Sequence, residues 1–511
     1  MALYLGIDVG TSGTKAVVMD GTGTVVASAS VEYPLYTPRN GWAEQDPDDW
    51  RRAAGAASRQ ALAGVDASKV AAVGLTGQMH SSVFLDADGN PLCRAMLWCD
   101  QRTAEECADI RSAVGGARLI ELTANPALTG FTAPKILWLR KNMPDVYAKV
   151  RKVLLPKDYI RYRLTGEFAT DVSDAGGTGL FNVAKRAWEP EVFEKLGIPA
   201  GWLAKVYESP EVTGVVSDAA AELTGIPAGT PVVAGAGDNA AAAVGTGVAR
   251  DGRAFVTVGT SGVVFAHTSR MILDPAGRAH TFCSAVPGEW HVMGVTLAAG
   301  LSLQWFRRNF APGLSYARLD ELAAASPVGA NRLLFAPYLN GERAPWLDPD
   351  CRGAFVGLSA SHTLGDLVRA VMEGVTFSLR DCLDIMLGMG APIDEIAAAG
   401  GGGGSAFWRG MIADVFGRAV TTAQTQDGPA LGAAILAAVG SGAFASVPEA
   451  CDALIARGEP VQPNGAASEE YARAHAVYRK IYPALKSIYA DSRSLRRESQ
   501  ANHRVNPHES A

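Results

Sequence analysis

The sequence has no excess of basic residues and no long apolar run. Its 46 Lys and Arg are outnumbered by 52 Asp and Glu, which gives a formal net charge of −6. It therefore offers no general electrostatic footprint for nucleic acid. No uncharged apolar run reaches about 18 residues, the length of a membrane-spanning helix, so we expect neither a membrane span nor a membrane partner.

Paired cysteine motifs are also missing. The seven cysteines are scattered along the chain, and none of them forms a C-x-x-C pair. This usage is typical of reduced cytosolic thiols and argues against a disulfide framework or a zinc site. An apolar strand pattern already begins at residue 3, so we expect no signal peptide and a cytoplasmic protein.

What the sequence does contain is a five-residue phrase that occurs twice. Val9–Gly13 and Val258–Gly262 both read Val-Gly-Thr-Ser-Gly, and apolar runs flank each copy. Strand, small-residue turn and strand predict a β-hairpin whose bare N–H groups and hydroxyls can approach phosphate. For either copy alone, an ordinary hairpin turn is an equally good interpretation. Two copies, each opening one half of the chain, predict a duplicated domain whose hairpins face one nucleotide.

Two charged residues flank the first copy. Asp8 ends the strand before the turn, and a carboxylate beside phosphate needs a cation between them. We therefore expect Asp8 to hold Mg²⁺, directly or through water, with an Asx-type turn residue as the alternative. Lys15 follows the turn and could reach a phosphate, or it could be a solvated strand lysine.

Polar residues follow two strand-like runs in the first half. The apolar run 70–76 leads into Gln78, Met79 and His80, and a later run leads to Arg102. Open α/β sheets place ligands at such strand exits. Gln78 and His80 could exchange hydrogen bonds with a polyol while Met79 packs on its carbon face, and Arg102 could contact the same substrate. For His80, a core histidine bonded to backbone is the alternative.

Asp238 is the clearest single candidate for a catalytic residue in the sequence. A strand-like run, 231–234, ends in a glycine turn, and Asp238 and Asn239 head the short helical run 240–244. The glycine spacing resembles that of a dinucleotide-binding motif. However, the helix is too short for the crossover of a β-α-β unit, and the carboxylate of Asp238 would repel a pyrophosphate. An acid at a strand end beside a nucleotide makes better sense as a general base. A helix N-cap is the alternative.

A run of five glycines, 400–404, links a strand-like run to the helical run 407–416. With no side chains in the way, an adenosine can lie flat against backbone near a helix N-terminus. The glycine run therefore predicts the nucleoside part of a nucleotide site.

Together these motifs resemble the FGGY family of carbohydrate kinases over nearly the whole chain. The matching stretches are Gly6–Thr11, Gly77–His80, Leu97–Thr103, Pro156–Tyr159, Thr170–Ala175, Gly237–Asn239, Gly341–Arg343 and Gly400–Gly404. Within the family, the chain is most similar to the branch that acts on D-xylulose. The resemblance implies an α/β fold with two ribonuclease-H-like domains, as in the actin/hexokinase superfamily, around a central catalytic cleft.

We expect four regions along the chain. They are an N-terminal sugar-binding domain with the catalytic Asp over 1–248, a C-terminal nucleotide domain over 252–441, a helical extension over 442–491 and a tail over 492–511. The tail is polar and charged, a composition that predicts disorder.

The family's roles carry over to the residues that match. The resemblance implies that Asp238 is the base on the sugar hydroxyl and that Asp8 organises Mg²⁺, with Asp238 as a second metal contact. The expected sugar contacts are Gln78, Met79, His80, Arg102, Asp238 and Asn239. The expected nucleotide contacts are Thr11, Ser12, Lys15, Thr260, Ser261, Gly300, Gly402 and Gly403. The sequence departs from the usual family pattern at Ser81, Gly403–Gly404, Ala344 and Trp346.

The implied reaction transfers a phosphoryl group from ATP to D-xylulose and gives D-xylulose 5-phosphate, with ATP and Mg²⁺ as cofactors. The expected partners are a small-molecule ketose and ATP, and a homodimer is the candidate assembly. Two alternatives stay open. One is a family kinase for another ketose or polyol, such as ribulose, fuculose or glycerol. The other is a non-catalytic actin- or Hsp70-like nucleotide-binding protein, which would have no need of polyol-binding residues.

Overall fold

The computed structural model describes residues 1–422 and 427–502, which form two compact units. Unit 1 contains the described parts of 1–253, 266–292 and 424–456. Unit 2 contains the described parts of 254–265, 293–423 and 457–511. The predicted α/β class with two domains is confirmed, but these units do not follow the expected boundaries, which kept 252–441 together.

The strands are short, and most belong to two larger sheets. They are β1 Leu3–Val9, β2 Gly13–Asp20, β3 Val25–Glu32, β4 Glu44–Gln45, β5 Val70–Gly77, β6 Val83–Leu85, β7 Ala95–Met96, β8 Lys152–Leu154, β9 Ala169–Asp171, β10 Phe181–Asn182, β11 Ala187–Trp188, β12 Lys205–Tyr207, β13 Val212–Val215, β14 Pro231–Val233, β15 Ala236–Gly237, β16 Gly252–Val258, β17 Gly262–Thr268, β18 His280–Cys283, β19 Trp290–Thr296, β20 Leu334–Ala336, β21 Ala354–Val356, β22 Ile393–Ala399 and β23 Val420–Thr422.

The α-helices range from single turns to the long helix of unit 2. They are α1 Pro47–Leu62, α2 Ala104–Val114, α3 Gly116–Thr123, α4 Thr132–Asn142, α5 Pro144–Tyr147, α6 Pro156–Thr165, α7 Val172–Ala175, α8 Pro190–Lys195, α9 Asp218–Thr224, α10 Asp238–Gly245, α11 Gly300–Phe310, α12 Tyr316–Ala325, α13 Leu364–Gly388, α14 Gly400–Gly404, α15 Ala406–Phe416, α16 Gly428–Gly440, α17 Val447–Leu454, α18 Gly465–Tyr478 and α19 Ile481–Asn502. Short 3-10 turns lie at Ala67–Lys69, Gly176–Thr178, Ala200–Trp202 and Ala330–Arg332.

The first copy of the repeated phrase is the turn of a hairpin in unit 1. β1 and β2 are antiparallel, with Val9 opposite Thr14 next to the turn, and β3 continues the meander. β1 also runs parallel to β5, so the sheet order is β13-β14-β5-β1-β2-β3, and β15 pairs with β5 as well. The predicted hairpin and meander are confirmed.

Helix α16 packs on one face of this sheet with backbone against backbone. A Cβ atom added to Gly6 would lie 1.9 Å from the carbonyl oxygen of Ala430, and one added to Gly74 would lie 1.9 Å from that of Ala433. Only glycine permits so close an approach. By compactness α16 belongs to unit 1, and the predicted domain boundaries over 1–248 and 252–441 stay a prediction.

The opposite face of the sheet carries a conventional apolar core. Because successive strand residues point to opposite faces, Leu5 and Ile7 face away from α16. They belong to one buried cluster with Val73, Trp50 of α1 and Tyr159 of α6. The sheet is therefore covered on both sides, which leaves its edge at the strand ends as the place for polar residues.

The second copy of the phrase joins β16 to β17, which are neighbours in a six-stranded sheet of order β18-β19-β17-β16-β22-β23. The predicted second hairpin is confirmed. The glycines 400–404 form the short helix α14 between β22 and α15, so strand, glycines and helix follow in the predicted order.

The C-terminal segment differs from its prediction. α19 continues through Asn502, so the tail predicted to be disordered, 492–511, is helical over its first residues. The segment 494–498 contains Leu, Arg and Glu, which favour helix. Residues 503–511 lie outside the described part of the chain. No helix in the described ranges is both long and apolar enough to cross a membrane.

Candidate active site

Three parallel strand ends bring the predicted polar residues of unit 1 to one edge. Thr76 of β5 lies opposite Asp8 of β1 on one side and opposite Ala236 of β15 on the other. Gln78 and Asp238 follow directly after the last residues of β5 and β15. Because parallel strands present their carboxyl ends at the same edge, the two acids and the exit of β5 share one site.

The two acids have pKa values shifted toward neutrality. Burial, with the charge of Asp238 adding to it, raises the pKa of Asp8 to about 7 against the opposing charge of Lys15. Burial raises the pKa of Asp238 to about 6, although hydrogen bonds from Asn239 oppose that rise. The Oδ1 of Asp238 accepts these bonds from the Asn239 backbone N at 2.7 Å and from Nδ2 at 2.9 Å. A carboxylate with a pKa near 6 is suited to accept a proton at neutral pH.

This pair of carboxyl groups fits a divalent cation. The Oδ1 of Asp8 is buried and has no hydrogen-bond partner among the described residues, and Asp238 adds a second negative charge beside it. A cation would satisfy both the oxygen and the charge. The described ranges contain no group of three or more His, Cys, Asp or Glu side chains that could hold a metal ion. Two carboxylates completed by water and substrate phosphate are a common way to bind Mg²⁺.

Asp238 is the first residue of α10, and Gly237 occupies the N-cap position without a side-chain cap. The N-cap alternative for Asp238 therefore does not hold. The helix ends at Gly245 after 8 residues, which is the short helix that was predicted when the dinucleotide-binding motif was rejected. The backbone N of Gly237 donates to the Oγ of Ser173 at 3.0 Å, which fixes the chain immediately before the acid.

His80 is held by its backbone and by one ring nitrogen. Its φ is 67°, and its carbonyl oxygen accepts a bond from the Nζ of Lys135 at 3.0 Å. Because a carbonyl only accepts, Nδ1 must donate to the Gly177 oxygen at 2.7 Å, which makes Nε2 an acceptor in the neutral ring. The ring stacks on Phe131 at 4.5 Å, and Met79 is buried next to it in the chain. His80 thus makes the backbone bond of the core-histidine alternative, and its role as a sugar contact stays a prediction.

Gln78 and Thr11 bond to each other and to neighbouring side chains. The Gln78 Nε2 donates to the Gln45 Oε1 at 3.0 Å, and the Thr11 Oγ1 donates to the Gln78 Oε1 at 3.3 Å. The Trp98 indole also donates to the Thr11 Oγ1, at 3.0 Å. These bonds set the first turn at the exit of β5, so Gln78 supports the turn, and its role as a sugar contact stays a prediction. Ser12, at the tip of the turn, is exposed.

Two predicted cationic contacts are neutralised by acids. The side chain of Arg102 is only 3% exposed and pairs with Asp100 at 2.6 Å and with Glu44 at 2.8 Å. Lys15 pairs with Asp427. Arg102 is therefore a structural ion-pair residue, and Lys15 would have to leave Asp427 to reach a phosphate.

Sequence reasoning missed a buried ion cluster in unit 1. The Lys157 Nζ lies 2.6 Å from Asp158, 2.8 Å from Asp171 and 3.3 Å from Asp174. Burial holds the pKa of Asp174 well above its usual value, even though Lys157 opposes the shift. The Ser173 Oγ donates to the Asp171 Oδ2 at 2.5 Å, so the hydroxyl that anchors the candidate base is itself fixed by this cluster. The sequence does not show that these acids are buried together, because their burial depends on residues distant along the chain.

Unit 2 contains a cavity of about 340 Å³ beside the second turn. Gly259, Thr260, Gly300 and Gly402 lie in its wall, and the last three are residues predicted to contact the nucleotide. The Gly300 N donates to the Gly259 oxygen at 2.7 Å, which locks the turn to the start of α11.

Two other predicted nucleotide contacts lie outside this wall. Gly401 lines the cavity where Gly403 was expected. Because the glycines coil into a helix, Gly403 turns away and lies buried against Ala398. Ser261, the residue before β17, is also absent from the lining formed by the described residues.

Two departures from the usual family pattern are explained by packing inside unit 2. Trp346 stacks on Tyr482 of α19 at 4.2 Å, and its indole donates to the Tyr338 hydroxyl at 3.0 Å. Ala344 is fully buried. The large ring of Trp346 and the small side chain of Ala344 therefore both pack inside this unit.

Comparison with known proteins agrees with this geometry. Residues 3–245 match the N-terminal domain of the FGGY family of carbohydrate kinases, and residues 254–441 match its C-terminal domain. The xylulose kinase of Bacillus subtilis (strain 168) is 36% identical over 499 residues, which cover 97% of this chain and 100% of that protein.

Two solved structures from Lactobacillus acidophilus resemble the fold equally well. A ligand-bound xylulose kinase has a TM-score of 0.91 at 28% identity and covers 96% of this chain and 100% of its own. A gluconate kinase has a TM-score of 0.91 at 29% identity and covers 96% of this chain and 99% of its own. The fold is therefore shared by kinases that are named for different sugars.

Proposed function

The chain belongs to the FGGY family of carbohydrate kinases, and on that premise we propose that it phosphorylates D-xylulose with ATP to give D-xylulose 5-phosphate. The likeness to the Bacillus subtilis xylulose kinase, 36% identity over 97% of the chain, carries the choice of sugar. The fold alone does not, because a gluconate kinase matches it with the same TM-score of 0.91.

Asp238 is the proposed base. The sugar hydroxyl attacks the γ-phosphorus of ATP, the new O–P bond forms as the bond to ADP breaks, and the hydroxyl proton passes to the Asp238 carboxylate. Asn239 binds Oδ1 of this carboxylate through both its backbone N and its Nδ2. The carboxylate is therefore oriented before substrate arrives, with Oδ2 as the proton acceptor.

The other proposed site residues would bind the metal ion and the nucleotide. Asp8 and Asp238 would hold Mg²⁺, which when bound neutralises the phosphate oxygens. Each of the turns 10–12 and 259–261 would bind phosphate oxygens through its backbone N–H groups and hydroxyls. The Gly300 and Gly402 backbone would accommodate the adenosine.

We also propose a cytoplasmic enzyme, which is consistent with seven cysteines that form no disulfide in the described part of the chain. The homodimer stays a prediction, and sedimentation analysis of the purified protein would test it.

A coupled ADP-release assay tests the proposed function. We expect D-xylulose to give the highest kcat/KM in a panel with D-ribulose, L-fuculose, glycerol and gluconate. A higher value for another sugar would assign the kinase to that sugar instead. Sugar-independent ADP release with no phosphorylated sugar would favour the actin- or Hsp70-like alternative.

His80→Ala is expected to weaken sugar use and spare the nucleotide. Loss of the imidazole would leave a sugar hydroxyl unpaired, at a cost of about 1–3 kcal/mol in kcat/KM for xylulose. Steady-state kinetics with each substrate varied in turn, together with ATP binding by calorimetry, make the measurement. His362→Ala, which removes a half-buried histidine of unit 2, is the control. An unchanged xylulose kcat/KM, or an equal loss in ATP binding, would return His80 to the core-histidine interpretation.

Thr260→Val is expected to damage nucleotide use more than sugar use. The residue lies in the cavity wall at the second turn, where loss of a hydroxyl facing phosphate costs about 1–3 kcal/mol. The readouts are KM for ATP and kcat, and Thr260→Ser, which keeps the hydroxyl, should recover most of the loss. If both parameters stay at the wild-type level in Thr260→Val, this turn does not hold phosphate.

A further inference from the structure

Away from the turn that contains Gly259 and Thr260, the cavity of unit 2 has a lining suited to an uncharged, hydroxyl-bearing group. Among the described residues, no Lys or Arg side chain contributes to its wall, which contains Leu303 and Trp408 as apolar surfaces and the bare backbone of Gly402. One ionisable acid, Asp320, projects into this otherwise neutral lining. A cavity built to bind phosphate would present cations or N–H groups, so the acid marks a different part of the ligand.

Asp320 is anchored through one oxygen only. It lies on α12, and its Oδ2 accepts a bond from the Ser405 Oγ at 2.6 Å. Ser405 is the N-cap of α15 and also accepts a bond from the Trp408 N at 3.1 Å, so its own position is fixed. The second oxygen, Oδ1, has no protein hydrogen-bond partner within the described ranges, whereas an ionised carboxylate can accept about four bonds.

We infer that Asp320 accepts hydrogen bonds from the ribose hydroxyls of the bound nucleotide and thereby selects ribonucleotides over 2′-deoxyribonucleotides. Adjacent 2′- and 3′-hydroxyls are two donors whose spacing suits one carboxylate, which is how an acid recognises ribose in other nucleotide sites. A 2′-deoxyribose leaves one acceptor without its donor. The inference rests on the proposed function, because it places the nucleoside of ATP in this cavity.

The test compares ADP with 2′-deoxy-ADP by calorimetry on the full chain. We expect the wild type to bind ADP about 10- to 100-fold more tightly, the effect of one hydrogen bond to a charged group. In Asp320→Asn, which keeps an oxygen for Ser405, ADP binding should weaken until the two affinities agree within about twofold. Glu321→Gln removes an exposed acid from the same helix and should keep the wild-type ratio.

Each outcome is informative. A wild type that does not distinguish the two nucleotides, or an Asp320→Asn variant that keeps the wild-type ratio, overturns the inference and leaves the kinase assignment intact. A protein that binds neither nucleotide overturns both. The wild-type comparison needs no mutation, and an unchanged melting temperature in Asp320→Asn shows that the variant is folded.

Discussion

Asp238→Asn is expected to lower kcat by about 10²–10⁴-fold while both substrates still bind. The amide keeps the size of the side chain and an oxygen for Asn239, but it cannot take the proton of the attacking hydroxyl. The variant also removes a negative charge beside Asp8, so the pKa of Asp8 should fall from its raised value of about 7. Steady-state kinetics give kcat, and calorimetry with ADP and with xylulose gives binding.

A matched control exists on another helix. Asp218 is the first residue of α9, as Asp238 is of α10, but it is exposed. Asp218→Asn should therefore retain wild-type kinetics. If folded Asp238→Asn keeps kcat within a few-fold of wild type, another group is the base.

Gly74→Ala is expected to lower the free energy of unfolding by about 3 kcal/mol, near the upper end for overpacking. The added methyl would lie 1.9 Å from the Ala433 carbonyl oxygen, so α16 must move away from the sheet. Backbone atoms cannot rotate aside as a flexible side chain can. A urea titration followed by circular dichroism measures the change in the unfolding midpoint.

Gly64→Ala provides the comparison, because a Cβ there would meet nothing within 4 Å. Its midpoint should stay at or slightly above that of wild type, since alanine restricts the unfolded chain more than glycine does. Equal midpoints for Gly74→Ala and the wild type would mean that α16 does not sit directly on β5.

The sequence predicts the elements that depend on local pattern. Both hairpins follow from small residues between apolar runs, and Asp238 stands out because a strand, a glycine turn and an acid follow in order. Contacts between distant residues are not visible in such patterns. Gln78 and Arg102 were expected to face a ligand, but their hydrogen-bonding groups are engaged by Gln45 and Asp100.

The packing of whole helices also depends on contacts between residues that are distant in the sequence. The position of α16 depends on Gly6 and Gly74, which look like ordinary strand glycines until the helix that covers them is known. Asp320 drew no attention either, because a single acid on an amphipathic helix looks like a solvated residue. Its importance comes from the glycine helix and Ser405, which the fold brings beside it.

The contact of α16 with β1 also constrains how the protein can be made. Ala430 leaves the ribosome long after Gly6, when most of the chain has already been synthesised. Until then, the face of the first sheet that carries Tyr4 and Ala72 lacks its cover. Unit 1 therefore cannot finish folding before α16 has been synthesised, and an expression fragment that stops at Arg253 would carry an open apolar sheet. A stable isolated unit would need residues 427–456 joined back to it, for example by circular permutation.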